Sequence, residues 1–342
     1  MNEHPRTPTK RVTVIDVARA AGVSPGTVSN AISKKRNVDD ETRKRIETAI
    51  RELGYIPNLA ARRMRTGRTN TIAIFSSMPT AVAAGSSKLG FLMEIAASAA
   101  VTAMKMNTAL VLIPPIDNPT EVLKTIAMDG ALVVEPEQDD PVLALMERVG
   151  IPTVCIGKPL GSPSAYVDLD YQAMAEMLID HLFEVGATSF PLIVGASTRQ
   201  SNLVFKEVYR RKAAKAGMVQ HIIEVTEESA EDGAATAISN SISKGLAFDA
   251  VLVPIDAMAT GVMRALRQHD LQVPTDVRVV TRYDGVRAKT ENPLLTAIDL
   301  KLEDVADIAT QHLNQIIVSG SGESAISVPS PSLVVRGSSI KD

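Results

Sequence analysis

The sequence predicts a small all-α head followed by an α/β body made of two parallel-sheet lobes. Three observations predict it. Three helical patterns fill the first 56 residues, the first two separated by a glycine turn. Beyond residue 70, short apolar runs alternate with amphipathic helical stretches, the order that builds parallel sheets flanked by helices. That alternation comes in two successive sets, divided near residues 162–170. A chain of 342 residues accommodates such a plan.

In the head, "RVTVIDVARAAGVSPGTVSN" reads as two short helices. Thr13 with Asp16 three residues on is a capping-box pattern. Val14, Val17, Ala18 and Ala21 form an apolar stripe at helical spacing, and Gly22 stops the helix. Ser24 is a suitable N-cap and Pro25 suits the first helical position. Helix, glycine turn, helix is helix-turn-helix spacing. A third helix runs from about Asp40 to Leu53, with Ile46, Ala49, Ile50 and Leu53 as its apolar face and Gly54 beyond its end.

The stretch "TVSNAISKKRNV" places Val28 and Ile32 toward the small core, which leaves Thr27, Ser29 and Asn30 on exposed sides. In a helix-turn-helix the start of the second helix enters the major groove. There Asn pairs with adenine, and hydroxyls donate to phosphates or bases. Capping and solvation of a short helix explain the same residues on pattern alone. Charge favours the nucleic-acid reading. Residues 1–70 carry 15 Lys/Arg and 7 Asp/Glu, whereas the remainder carries 21 and 32. A basic head on an acidic body suits a polyanion partner.

The continuation "YIPNLAARRMRTGRTNTIAIF" adds to this. With "TVIDVARAAGVSPGTVSNAI", and further on "IPTVCIGKP", "VDLD" and "PLLTAID", the chain resembles the lactose-repressor (LacI/GalR) family of bacterial transcription regulators. The match is nearly continuous over residues 12–75 and looser over the rest. It implies a helix-turn-helix domain at 11–56, a hinge and linker at 57–69 and a two-lobed effector-binding and dimerisation domain at 70–340. In the family the hinge folds on operator DNA against its dimer mate and enters the minor groove. "NLAARRM" is too short for a stable helix in water alone, which agrees with folding only on DNA. Met64 stands where the family places an apolar wedge that kinks the duplex. Arg62, Arg63, Arg65 and Arg68 then neighbour phosphates. The family's base-reading positions fall on Pro25, Gly26 and Asn30. The first two lack side-chain donors, so Asn30 is the expected base contact, and shape readout through the hinge is expected to matter more. Thr13, Ser24, Thr27, Ser29, Asn37, Tyr55, Asn58, Ala61, Met64 and Arg65 complete the expected DNA-contacting set.

For the body, the resemblance implies Rossmann-like lobes of periplasmic-binding-protein type: lobe 1 at about 70–162 and 296–321, lobe 2 at about 163–295 and 322–340. Ligands of open α/β lobes sit at the carboxyl ends of the strands, here the inter-lobe cleft. Positions that bind sugar hydroxyls in sugar-responsive members hold Gly157, Phe205, Ile255 and Tyr283, while Asp256 keeps the second member of an "ND" pair and Asp284 sits one place beyond the expected Asp, which a one-residue shift restores. The expected effector set is therefore Ser76, Glu135, Gly157, Phe205, Ile255, Asp256, Tyr283 and Asp284. Its composition predicts an apolar or aromatic effector rather than a typical sugar, anchored by Glu135 or Asp284. A closed cleft with no effector is the alternative.

Other chemistry is not indicated. The five histidines are scattered, and there is no HExxH, CxxC, GxGxxG, Walker loop or GxSxG, so neither cofactor nor metal is expected. Cys155 is the single cysteine and lies in an apolar run, as suits a buried thiol in a reducing cytoplasm. No apolar leader follows Met1 and no apolar run reaches membrane-spanning length. The expected function is a cytoplasmic, nucleoid-associated, homodimeric repressor, not an enzyme, with operator DNA and a small-molecule effector as partners. An activating or corepressor-dependent regulator, and a sensor or enzyme built on the two-lobed body, are the alternatives.

Overall fold

A computed structural model describes residues 12–33, 38–56, 67–79, 90–115 and 118–340. The chain divides into two compact units, 1–69 and 70–342.

The first unit holds α1 (Val14–Ala21), α2 (Pro25–Ser33) and α3 (Asp40–Leu53). The capping box at α1 is formed: the Thr13 backbone N–H donates to Asp16 Oδ2 at 2.9 Å, and the Asp16 N–H donates to Thr13 Oγ1 at 3.4 Å. Gly22 ends α1 at φ 65°, a left-handed conformation open to glycine. Ser24 Oγ accepts the Thr27 N–H at 3.1 Å, and Asp39 accepts the Thr42 N–H at 2.9 Å. Val17, Ala18, Ala21, Val28, Ile46 and Ala49 make the core. Ile32 and Leu53, expected inside, are 37% exposed. Three short helices enclose too little volume to cover a second residue per turn. Replacing Thr13 with alanine removes the reciprocal bonds of the box. The expected loss is about 1 kcal/mol of head stability, measured as a lower midpoint in the head's thermal transition.

Lobe 1 of the body is a 6-stranded parallel sheet of order β11-β5-β4-β3-β1-β2. Its strands are β1 (Thr71–Phe75), β2 (Ala109–Leu112), β3 (Gly130–Val134), β4 (Thr153–Ile156), β5 (Ala165–Val167) and β11 (Ala325–Ile326). Alternate side chains serve two cores, as the period of two requires. Ile72, Ile74, Leu132, Val134, Val154 and Ile156 face α4 (Phe91–Lys105) and α12 (Leu302–Ser319). Ala73, Phe75, Ala131, Val133 and Cys155 face α5 (Thr120–Thr125) and α6 (Pro141–Val149). Burial pushes the Cys155 thiol far up, so it stays a packing residue.

Lobe 2 has a 4-stranded parallel sheet of order β7-β6-β8-β9. These are β6 (Leu192–Gly195), β7 (Ile222–Val225), β8 (Ala250–Val253) and β9 (Arg278–Thr281). Helices α7 (Tyr171–Glu184), α8 (Gln200–Ala216), α9 (Ala230–Ser243), α10 (Asp256–Gln268) and α11 (Val286–Thr290) surround it. An antiparallel pair, β10 (Ala297–Asp299) with β12 (Ser332–Val334), is linked to β9 by a bridge from Val280 to Thr296.

Three lobe boundaries differ from those expected. Residues 165–167 remain in lobe 1 as β5, residues 297–299 belong to lobe 2 as β10, and residues 325–326 return to lobe 1 as β11. Each misplaced piece is a two- or three-residue strand, too short to show a period in the sequence.

Candidate nucleic-acid interface and inter-lobe cleft

At the start of α2, Pro25 and Gly26 are exposed, as are Thr13 and Ser24. Thr27, Ser29 and Asn30 are half-buried, and Tyr55 packs against the head core. The Ser24 and Thr27 hydroxyls lie 2.9 Å apart, so both also serve the cap. Asn37 and the hinge residues Asn58, Ala61, Met64 and Arg65, like Arg62 and Arg63, fall outside the described residues.

The cleft is built from residues just past strand ends. From lobe 1 come Ser76 and Ser77 after β1, Glu135 after β3 and Gly157 after β4; from lobe 2 come Arg199, Glu227, Ile255, Asp256, Arg282 and Tyr283. Ser76 is buried and donates to the Val134 carbonyl at 3.0 Å. Between the lobes lies a narrow cavity of about 20 Å³, room for about one water molecule, in a cleft lined by Met78, Phe91, Glu135, Arg199, Ser201, Asn202, Glu227, Pro254, Ile255, Asp256, Arg282 and Tyr283.

Two side chains bridge the lobes several times. Arg199, 2% exposed, donates Nε to Glu227 Oε2 at 3.1 Å within lobe 2. Across the cleft it donates Nη1 to Ser77 Oγ at 3.0 Å and to the Glu135 carbonyl, and Nη2 to Glu137 Oε1 at 2.8 Å. Glu135 accepts at Oε1 from Arg282 at 2.8 Å and from Tyr171 at 3.1 Å, and at Oε2 from Ser201 at 2.8 Å, all three from lobe 2. Its backbone is left-handed at φ 48°. For a residue with a side chain that costs on the order of 1 kcal/mol or more, offset here by three bonds to one carboxylate. Tyr283 donates to Glu94 and meets Phe91 edge-on at 5.6 Å between centroids. Gly157 has φ 96°, and a Cβ there would collide with the Tyr171 hydroxyl, so the glycine admits the tyrosine to the cleft. Burial pushes the Asp256 carboxyl above its ordinary range, partly opposed by Arg287.

Residues 13–58 match the family of bacterial regulatory proteins, lacI family, and residues 179–339 match a periplasmic binding protein-like domain. The ribose operon repressor of Escherichia coli K12 is 29% identical over 335 residues, covering 95% of this chain and 99% of its own. The chain belongs to the LacI family. The transcriptional regulator CelR of Thermobifida fusca is 29% identical over 313 residues, 86% of this chain and 88% of its own. The fold is that of the lac repressor in its dimer bound to operator, with TM-score 0.82 at 22% identity, covering 97% of this chain and 100% of that chain. This LacI-family protein is thus a DNA-binding transcription regulator with a helix-turn-helix head and a two-lobed body.

The cleft of this LacI-family protein holds only part of the residue set expected from its sequence. Glu135, Ile255, Asp256 and Tyr283 line the cavity. Phe205 does not; it is fully buried in the lobe 2 core. Asp284 does not either; Arg336 holds it at 2.9 Å. The expected apolar pocket is a charged one, because neighbouring positions supply what the sugar-binding positions lack. Arg199, Ser201 and Asn202 come from "TRQSN" at the N-cap and first turn of α8, Glu227 follows β7, and Arg282 precedes Tyr283. A polar run directly after a predicted strand was the available signal. No described helix is long and apolar enough to cross a membrane.

Proposed function

We propose that the protein is a cytoplasmic repressor that binds a near-palindromic operator as a homodimer and is controlled by a polar small molecule in the inter-lobe cleft. The observation that carries the control is the cross-lobe bonding of Arg199 and Glu135. A ligand that competes for these groups changes the lobe angle, and with it the spacing of the two hinges. That is a population shift between DNA-competent and DNA-incompetent dimers. The ribose operon repressor is a relative of matching length, which supports a repressor acting on an operator.

An exposed apolar stripe on α4 supports the homodimer. Val101 is 53% and Met104 74% exposed, and α4 packs beside the sheet-edge strand β2, where Leu112 is also exposed. A second copy covering this stripe gives an isologous contact whose twofold axis matches a palindrome. Replacing Met104 with lysine is expected to shift the protein toward monomer in sedimentation and to weaken operator binding by at least about tenfold, since a buried unpaired charge opposes association. An unchanged dimer would place the interface elsewhere.

Selection of genomic fragments on the full-length protein, at moderate salt, tests the function. A recurring palindrome is the expected result. Retention without a shared motif, vanishing as salt rises, would mean phosphate contact alone. On the recovered operator, Asn30→Ala is expected to relax preference at one base position, by about 1–3 kcal/mol. Met64→Gly is expected to lose operator affinity while keeping weak non-specific binding. Parental affinity in that variant would remove the wedge assignment.

A further inference from the structure

The cleft's lining carries Glu135, Glu227 and Asp256 against Arg199 and Arg282. Carboxylates are in surplus, and the surplus grows at the margins. Glu137 adds a further carboxylate on Arg199, and Glu94 adds one on Tyr283. Arg287 is the next cation, but it is shared with Glu231.

The pairing within the cleft is uneven. Glu135 and Glu227 have donors on both oxygens. Asp256, 4% exposed, has no hydrogen-bond donor on Oδ2, and Arg287 Nε stands 3.6 Å from it. Arg282, 6% exposed, has no acceptor for Nε. A buried carboxylate oxygen without a donor and a buried guanidinium N–H without an acceptor are costly to leave so. Both residues line the same cavity. A ligand that satisfies them must donate to Asp256 and accept from Arg282. A ligand carrying negative charge would add to an existing surplus at low dielectric.

We propose that the cleft takes a small cationic ligand, a protonated amine or amidine with a neighbouring hydroxyl or carbonyl, seated on Asp256 and accepting from Arg282. This rests on the reading of the cleft as the effector site and names the charge of the effector. The hydrophobic members Met78, Ile255 and Phe91 cover its carbon skeleton. The cation supplies the donor that Asp256 lacks and brings the local charge closer to neutrality.

Two probe sets test it on the full-length protein by calorimetry. Glucosamine, glucose and glucuronate share a ring and differ in charge. Ethanolamine, ethylene glycol and glycolate repeat the comparison on a smaller skeleton. In at least one set the cation is expected to bind at least about tenfold tighter than the neutral compound, the worth of one charge-assisted hydrogen bond, with the anion weakest. Asp256→Asn is expected to bring that ratio close to one. A neutral or anionic probe that binds as well, a preference surviving Asp256→Asn, or no binding by either cation would overturn the proposal. The comparison on the unmodified chain decides even if the variant folds poorly. Response of operator binding to a neutral or anionic metabolite would retain the effector reading and reject only the charge assignment.

Discussion

Replacing Arg199 with alanine is expected to lower the midpoint of the body's thermal transition by about 10 °C and to widen the cleft. The guanidinium is 2% exposed and serves four groups: Glu227, Ser77, Glu137 and the Glu135 carbonyl. Its removal leaves Glu227, itself 4% exposed, as a carboxylate without its cation. Breaking a buried pair in this way costs about 3–5 kcal/mol, and a body of this size loses a few degrees for each. The pair as a whole contributes much less, because both ions were taken from water. The double variant Arg199→Ala/Glu227→Gln should therefore recover much of the loss, a non-additivity expected of contacting residues. Small-angle scattering supplies the second readout, with a larger radius of gyration for the single variant. A change below about 2 °C together with unchanged scattering would mean that the lobes are held by other contacts.

The second large effect is expected in the head. Ile46→Ala should abolish operator binding while leaving the body's thermal transition where it was. Ile46 is one of six buried residues in a core enclosed by three short helices. Truncating a buried isoleucine costs about 2–5 kcal/mol, and a unit of this length has little more than that to lose. Operator affinity should fall at least about a hundredfold, as expected when most molecules lack a folded reader. The chain divides into two compact units, so the loss should not spread. Circular dichroism of the full chain, alongside operator titration, checks both halves. Retained binding would mean that the head is restored by the DNA itself.

The fold was more legible than the cleft. In the head, Thr13, Asp16, Gly22, Ser24 and Asp39 each perform a local task that a few neighbouring residues define. In the body, β1, β3 and β4 are apolar runs, β3 and β4 bounded by glycine, proline or charge and β1 by polar Asn70 and Ser76. β5, β10 and β11 span only two or three residues, and their placement depends on a sheet assembled from distant segments. The cleft depends on distance in space rather than in sequence. Position by position, Phe205 and Gly157 looked like lost polar groups. The structure gives that polarity to Arg199, Ser201 and Asn202, a few residues earlier, where the chain leaves β6. Glu135 was readable because it follows β3 directly. Its partners were not, since Tyr171, Ser201 and Arg282 lie 36, 66 and 147 residues away.

Lobe 1 is not finished until the chain has left it after β5, built most of lobe 2 and come back with α12 and β11. The face of its sheet that carries Gly130 is covered by α12, where a Cβ on that glycine would meet Leu313 and Ile317. These residues leave the ribosome well over a hundred positions after β5. At ordinary rates of synthesis the interval is on the order of ten seconds. Throughout it, the part of that apolar face that α4 does not cover waits in a crowded cell without its lid. Production of this regulator should therefore depend on chaperones that hold nascent chains, and on the pace of translation between the first lobe and the helix that closes it.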